Sequence, residues 1–169
     1  MNTQLLIARL AGFAETLPAA VVVVPDADAR WRPEQGGWSI LEIVAHLADE
    51  EIDDFRMRTE LTLRDPDLPW PPIDPEGAAV VRRYNEADLA KTVGRFVTAR
   101  RDSITWLQQL REPDWSRTHH HKLGDIRAGD VLSAWVAHDA LHLRQIAKRL
   151  FQLTQRDAGD YSTAYAGKW

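Results

Sequence analysis

Apolar side chains recur at intervals of three and four residues along four segments of the chain, a spacing that is typical of amphipathic α-helices. The first predicted helix covers residues 3 to about 17, and Pro18 begins a less regular region. The valine-rich run at 21–24 fits either a short buried strand or a helical turn. The pattern therefore predicts an N-terminal helix and leaves the structure after it open.

The second predicted helix has the clearest start in the sequence. Ser39 followed by Glu42 matches the capping box, in which each side chain accepts a hydrogen bond from an unpaired backbone N–H. An apolar stripe and a charged acidic face follow, and we expect the helix to run to about Leu63. The stripe consists of Ile40, Ile43, Val44, Leu47 and Phe55.

Prolines then interrupt the helical pattern. Five of them lie between positions 65 and 77, a density that no helix interior tolerates. This segment is predicted to be a long connection, either a plain crossover between two helices, which we favour, or a lid.

The remaining pattern predicts two more helices. The third starts near Asn85, with Asp88 at its third position, and ends at Pro113. A polar, histidine-rich loop is expected over 115–129, and Asp130 can cap a fourth helix that runs to about Leu153. The tail after residue 154 shows no periodicity and is expected to be loosely held. No strand pattern competes apart from 21–24, so we predict a single all-α domain over 1–169, a four-helix bundle with long crossover loops.

Composition narrows the functional classes. The chain has 169 residues, a net charge of −4 and no cysteine, which excludes a disulfide scaffold, an iron–sulfur cluster, a thiolate zinc site and a cysteine nucleophile. The charge balance argues against a nucleic-acid partner. No glycine-rich phosphate loop and no Gly-x-Ser-x-Gly elbow occurs.

No segment predicts contact with a membrane. The longest apolar run, 17–24, contains Pro18 and is far shorter than the roughly 20 residues that span a bilayer. The N-terminal residues lack the basic flank of a signal peptide. A cytoplasmic location is the expectation.

Two histidines of the fourth predicted helix lie four residues apart, which places His138 and His142 one above the other on a helix face. That spacing lets two imidazoles bind one metal ion, although such pairs also arise by chance. His46, at the border of the stripe in the second helix, can converge with them across a bundle, because facing helices lie about 8–10 Å apart. The alternative, a border histidine with a hydrogen-bonded ring, is equally open at this point.

Three consecutive histidines occupy the predicted loop before the fourth helix. One of His119, His120 and His121 can reach a metal site from there, while a plain polar loop is favoured for at least two of them.

Three motifs, in order, resemble the DinB/YfiT-like superfamily of metalloenzymes. Residues 38–49 (WSILEIVAHLAD) resemble its Trp-Ser helix entry followed by histidine and leucine. The sequence DWSR at 114–117, with His120 and Gly124 after it, resembles the segment before the last helix. Residues 138–146 (HDALHLRQI) are similar to the closing His-x-x-x-His-Leu-x-Gln-Ile signature. The resemblance covers about residues 3–153.

The resemblance implies a four-helix bundle in which His46, His138 and His142 bind a divalent metal, commonly nickel or zinc. It also implies a homodimer and a small-molecule substrate, since the family includes S-transferases that use a low-molecular-weight thiol. No catalytic acid or base is implied with comparable strength. Arg100, His120 and Asp49 are candidates, and Asp49 is as well explained as a solvated helix acid as by support of His46.

Three functional hypotheses follow. The leading one is a metal-dependent enzyme, a thiol S-transferase or a hydrolase, because an ion held by three imidazoles keeps open positions. The second is a non-enzymatic metal-binding or stress-response bundle. The third is an interaction module without metal.

Overall fold

The computed structural model describes residues 1–122, 124–167 and 169. Four long helical segments dominate it: α1 (Thr3–Val21), α3 (Ile40–Glu50) continued by a π-helix (Glu51–Arg56) and α4 (Met57–Arg64), α6 (Leu89–Gln109), and α7 (Ala128–Asp157). Shorter elements are α2 (Asp26–Ala29), α5 (Pro75–Val81), two 3-10 turns (Tyr84–Glu86 and Ala164–Ala166), and the strands β1 (Thr118–His121) and β2 (Gly124–Arg127).

The four long segments pack as a bundle, as the sequence predicts. α6 packs on α1 and α3, and α7 packs on α1, α3 and α4. Side chains of all four segments meet in the core, and the largest fully buried apolar ones are Leu10, Leu17, Ile40, Leu41, Ile43, Leu47, Phe96, Leu132, Trp135 and Ile146. Within the described residues, no helix is both long enough and apolar enough to cross a membrane.

The second segment is the centre of the bundle. Its capping box is formed as predicted, with the Ser39 side chain accepting from the N–H of Glu42 and the Glu42 carboxylate accepting from the N–H of Ser39. All eleven residues of α3 are buried, including its acids. The acidic face of α3 is therefore buried and not exposed to solvent, because short elements such as α5 and the 3-10 turn at Tyr84–Glu86 cover the side that α6 and α7 leave open.

Two helix ends differ from the pattern. α1 continues through Pro18 to Val21, so the segment 21–24 starts with the last helical turn and is not a strand. Burial of Leu17 and Val21 outweighs the hydrogen bond that proline removes. α6 is capped by Asp88, whose side chain accepts from the N–H of Lys91.

Asn85 has a different role from the predicted cap. Its amide oxygen accepts a hydrogen bond from the Ser39 hydroxyl at 2.7 Å, and its amide nitrogen donates to the carbonyl of Arg30 at 3.1 Å. These two hydrogen bonds connect the start of α3 to the segment before α6. α6 itself begins after Asp88, the next residue along the chain whose side chain caps a helix well.

Both predicted loops contain regular structure. The proline-rich connection ends in α5, which begins with Pro75 at its first position and is capped by Asp74, a placement that proline tolerates. The histidine-rich loop forms an antiparallel hairpin in which Thr118 pairs with Arg127 and His120 with Asp125. α7 starts after Arg127, and Asp130 is its third residue, accepting from the N–H of Arg127, so Asp130 is not the cap itself.

Candidate metal centre

Three histidines from two helices converge at one point inside the bundle. The Nε2 atom of His138 lies 3.3 Å from Nε2 of His46 and 2.9 Å from Nε2 of His142. Candidate ligand atoms of the three residues all lie within 4.8 Å of one another. No other such group of three is found among the described residues. The structure thus brings together the residues that the sequence analysis proposed, while their role as metal ligands stays a prediction.

The hydrogen bonds of the cluster leave ring nitrogens free to face each other. Nδ1 of His142 lies 2.8 Å from Oε1 of Gln145. Because an amide oxygen only accepts, Nδ1 of His142 carries the proton and its Nε2 presents a lone pair to the cluster. Nδ1 of His46 is buried without a hydrogen bond, and Oε1 of Glu50 lies 3.8 Å from it. Burial and the neighbouring Asp54 raise the pKa of Glu50 to about 8, so a neutral carboxyl faces Nδ1 of His46, and the ring is free to direct its Nε2 lone pair inward.

The surroundings keep the imidazoles neutral. Trp38 packs on the His46 ring at 4.7 Å between ring centroids, and Phe55 packs on the His138 ring at 4.8 Å. Burial, reinforced by the neighbouring rings, lowers the pKa of His46 and of His138 to about 3. Burial also lowers the pKa of His142. Neutral imidazole is the form that binds metal ions, so the environment favours ligation.

The donor set fits a divalent ion. A tetrahedral ion with nitrogens at about 2.1 Å needs nitrogen–nitrogen separations of about 3.4 Å, which the two short Nε2 distances approach. A neutral imidazole has one N–H and one lone pair, so Nε2 of His138 can donate to only one of the two neighbouring Nε2 atoms. The group therefore keeps at least one lone pair that a cation can bind. Among the described residues no acid or cysteine completes the group, so a bound ion would keep a free coordination position.

A cleft of about 720 Å³ reaches the cluster from one side. His46 and His142 form its inner wall, and α3, α5 and α7 supply most of the rest. The remaining lining residues are Arg32, Gly37, Trp38, Glu42, Ile43, Glu76, Ala79, Val80, Gln145 and Arg149. A volume of this size is typical of small-molecule sites.

The sequence profile of the DinB superfamily matches residues 8–146. This chain belongs to the DinB superfamily. A search of curated proteins gives no match.

A solved structure of the same fold confirms the architecture. YfiT from Bacillus subtilis, described as a probable metal-dependent hydrolase with an unusual four-helix bundle topology, superposes with a TM-score of 0.78 at 22% sequence identity. The match covers 92% of this chain and 87% of YfiT. The four-helix bundle expected from the resemblance is therefore confirmed.

Arg100, one of the catalytic candidates, lies in the core and outside the cleft. Its guanidinium binds both carboxylate oxygens of Asp139 at 2.6 and 2.8 Å and Oε2 of Glu51 at 2.9 Å. Trp135 donates to the same Glu51 oxygen at 2.9 Å. Burial raises the pKa of Asp139 to about 6, although Arg100 opposes that shift. This arrangement, here called the ion cluster (Arg100, Glu51, Asp139 and Trp135), has the contacts of a structural element.

Asp49, the second candidate, is buried and held by three partners. Tyr84, Arg82 and Arg95 all donate to its carboxylate. Burial alone would raise the pKa of Asp49, but these hydrogen bonds and positive charges outweigh it and lower the pKa. Asp49 is therefore not a solvated acid. It fastens α3 to α6 and to the segment around Tyr84.

None of the three consecutive histidines joins the described metal group. His119 stacks on Trp70 at 4.4 Å between centroids, and its Nδ1 lies 2.7 Å from the carbonyl oxygen of Pro66. His120 is exposed and pairs with Asp125 across the hairpin. His121 also faces the Trp70 ring. The hairpin thus holds the proline-rich connection, which agrees with the polar-loop alternative.

Four residues of the site were not singled out from the sequence as functional. Gln145 and Arg149 follow His142 by three and seven positions, so helical spacing places them on the same side of α7. Glu50 follows His46 by four positions for the same reason. Trp38 precedes the capped helix start, and only the tertiary structure places its ring against His46.

Proposed function

We propose that this protein is a metal-dependent hydrolase of a small molecule, with His46, His138 and His142 as the ligands of one divalent ion. The observation that carries the proposal is the convergence of three Nε2 atoms beside the 720 Å³ cleft, which His46 and His142 line. A free coordination position that opens on a substrate-sized cleft is typical of a catalytic ion and not of a structural one. Nickel and zinc are the metals that the family resemblance favours.

The roles of the residues follow from their contacts. Gln145 fixes the proton of His142 on Nδ1 and so orients the ring. Trp38 and Phe55 shield the cluster from water, which keeps its rings neutral. An ion held there supplies Lewis-acid chemistry, since it lowers the pKa of a water or thiol that binds to it and polarises a substrate carbonyl.

Hydrolysis and thiol transfer both require the three histidines to hold one ion that keeps a free coordination position. The description of YfiT as a probable metal-dependent hydrolase favours hydrolysis. Thiol transfer remains the second candidate, and because the chain has no cysteine, that thiol would have to come from solution. No catalytic acid or base is assigned, since Arg100 and Asp49 are fully occupied by structural partners.

The test combines metal analysis with a substrate screen. The purified protein should contain about one equivalent of a divalent metal, and it should hydrolyse a member of a panel of esters, amides and lactones. Parallel reactions with a low-molecular-weight thiol and alkylating electrophiles detect transfer. His142→Ala should lose metal and turnover, whereas His120→Ala, which removes an exposed histidine of the hairpin, should keep both.

Each outcome selects one hypothesis. Metal without turnover in either panel supports the non-enzymatic metal-binding or stress-response bundle. Absence of metal binding at neutral pH supports the interaction module. The homodimer and the cytoplasmic location stay predictions of the sequence, and sedimentation equilibrium of the metal-loaded protein tests the first of them.

A further inference from the structure

The cleft next to the three histidines is lined by two arginines, of which one is paired with a carboxylate and the other is not. Arg32 donates through two nitrogens to the carboxylate of Glu42, so its charge is neutralised inside the protein. Arg149 forms no ion pair with any described residue, and its contacts are with uncharged acceptors. The cleft therefore holds one guanidinium whose charge has no protein partner.

Arg149 is nevertheless held in a defined orientation. Its Nε donates to the carbonyl oxygen of Trp38 at 2.7 Å, and Nη1 donates to Oε1 of Gln152 at 2.7 Å. A guanidinium has five N–H donors, so these two bonds leave about three unused. The unused donors include both hydrogens of Nη2, and an arginine with two neighbouring free donors can bind an oxyanion in a bidentate manner.

Gly37 leaves room beside those free donors. Its φ of +102° is a conformation that glycine adopts without strain, and a Cβ atom at this position would lie 2.7 Å from Nη2 of Arg149. Any larger residue would displace the guanidinium or cover Nη2.

The position of Arg149 relates it to the histidines. It follows His142 by seven residues on α7, which places both on one face of the helix about 10 Å apart along its axis. Both residues line the same cleft. Glu76, the other unpaired charge of the lining, is exposed on α5 and forms no ion pair with Arg149.

We propose that Arg149 binds an oxyanion, a carboxylate or a phosphate, of a substrate whose reacting group lies at the three histidines about two helical turns away. The inference rests on the proposed function for the reacting end and names the substrate class: a small molecule with an anionic group at one end. Burial lowers the pKa of Arg149, and an anionic ligand offsets that cost of burying an unpaired charge.

A binding experiment tests this without any turnover. Zinc-loaded protein is titrated calorimetrically with unbranched dicarboxylates from glutarate to suberate, and with monocarboxylates of the same lengths. At the length that spans the site, the second carboxylate should tighten binding roughly 10- to 100-fold, the usual effect of a hydrogen-bonded charge pair. Arg149→Gln should remove the advantage, and Arg144→Gln, which removes an exposed charge of α7 outside the cleft, should keep it.

Further arms separate the alternatives. Phosphonocarboxylates of the same lengths show whether a phosphate-like or a carboxylate end is preferred. Should Arg149→Gln prove misfolded by circular dichroism, Arg149→Lys decides, since it retains the charge without the planar fork and should lose most of the advantage. Equal binding of mono- and dicarboxylates by the wild type, or an advantage that survives both substitutions, overturns the proposal.

Failure of the proposed function gives a different result. If the protein takes up no metal, octanoate is compared with octanamide on the metal-free protein, because Arg149 needs only one carboxylate. If octanoate binds more tightly than octanamide and Arg149→Gln abolishes the difference, the result supports the anion site. This holds even when the metalloenzyme hypothesis has failed. No preference for octanoate contradicts it.

Discussion

Two polar centres share neighbouring residues of α7, and their chemistry is opposite. His138 and Asp139 are neighbours on α7, yet the first belongs to the three-histidine cluster and the second to the ion cluster. In the ion cluster, Arg100 meets two carboxylates and the indole of Trp135 donates to one of them. In the histidine cluster, three ring nitrogens face one another with no protein cation between them.

The difference separates a structural polar group from a binding site. A buried charge that is matched by its partners costs little to keep and much to break, so the ion cluster stabilises the fold. In the histidine cluster a neutral His138 can donate to only one of its two neighbours, so at least one ring nitrogen is left without a donor unless an ion binds to it. The 720 Å³ cleft is lined by His46 and His142 and by no member of the ion cluster, so a ligand that enters it can meet the histidine cluster.

The largest expected effect is on the histidine side. His142→Ala removes one of three ligands, so metal binding and metal-dependent turnover should be lost, while helical content in far-UV circular dichroism stays nearly unchanged because the core does not depend on the ion. Melting of the helices on removal of the metal from the wild type would show instead that the ion is structural.

The ion cluster should respond in the opposite way. Arg100→Met leaves Glu51 and Asp139 buried without a cation, and the free energy of unfolding should fall by about 3–5 kcal/mol. Arg101→Met is the matched control, since this neighbouring arginine is exposed and should change stability by no more than about 0.5 kcal/mol. Urea denaturation of the metal-free proteins measures both, and similar values for the two variants would contradict a structural role for Arg100.

A smaller effect is expected where a side chain only orients a ligand. Gln145→Leu removes the acceptor for Nδ1 of His142 and should weaken metal binding about 10- to 100-fold. Competition with a chromogenic chelator measures the affinity. Gln145→Glu retains an acceptor and should bind at least as tightly as the wild type, whereas equal weakening by both variants would point to a packing defect.

The smallest effect concerns Asp49, for which the sequence left two interpretations open, a solvated helix acid or a support of His46. Its pKa is lowered in the folded state, so its contribution to stability is present above the ordinary aspartate pKa of about 3.9 and is lost as the pH falls below it. Asp49→Asn should cost about 1–3 kcal/mol at pH 7, and the difference from the wild type should shrink in acid. Denaturation at several pH values measures this.

Asp53→Asn is the control for that experiment. Asp53 meets the same Arg82 but is half exposed, so its loss should change stability by about 0.5 kcal/mol or less. Metal affinity should be unchanged in both variants. A loss of metal affinity in Asp49→Asn alone would return Asp49 to the support of His46.

The helices and the histidine pair were accessible to sequence analysis because their cause is local. The period of apolar residues, the Ser39–Glu42 capping box and the four-residue spacing of His138 and His142 depend only on neighbours within two helical turns. The pattern alone left two interpretations of His46, a metal ligand or a border histidine with a hydrogen-bonded ring, and the family resemblance favoured the first. The hairpin at 118–127 was missed because its strands are short and lack the alternation that marks a half-buried strand.

The sequence by itself determined the four helices, the absence of a cysteine thiol in the chain and the kinds of donor atom that the protein can offer a metal. Only the tertiary structure decided which polar residues face each other. Asp49, Arg100 and His46 all have ordinary local surroundings in the sequence, and burial in a shared interior gives them their different roles. The physical reason is that the cost of an unpaired polar group depends on partners brought by other helices, which local periodicity does not encode.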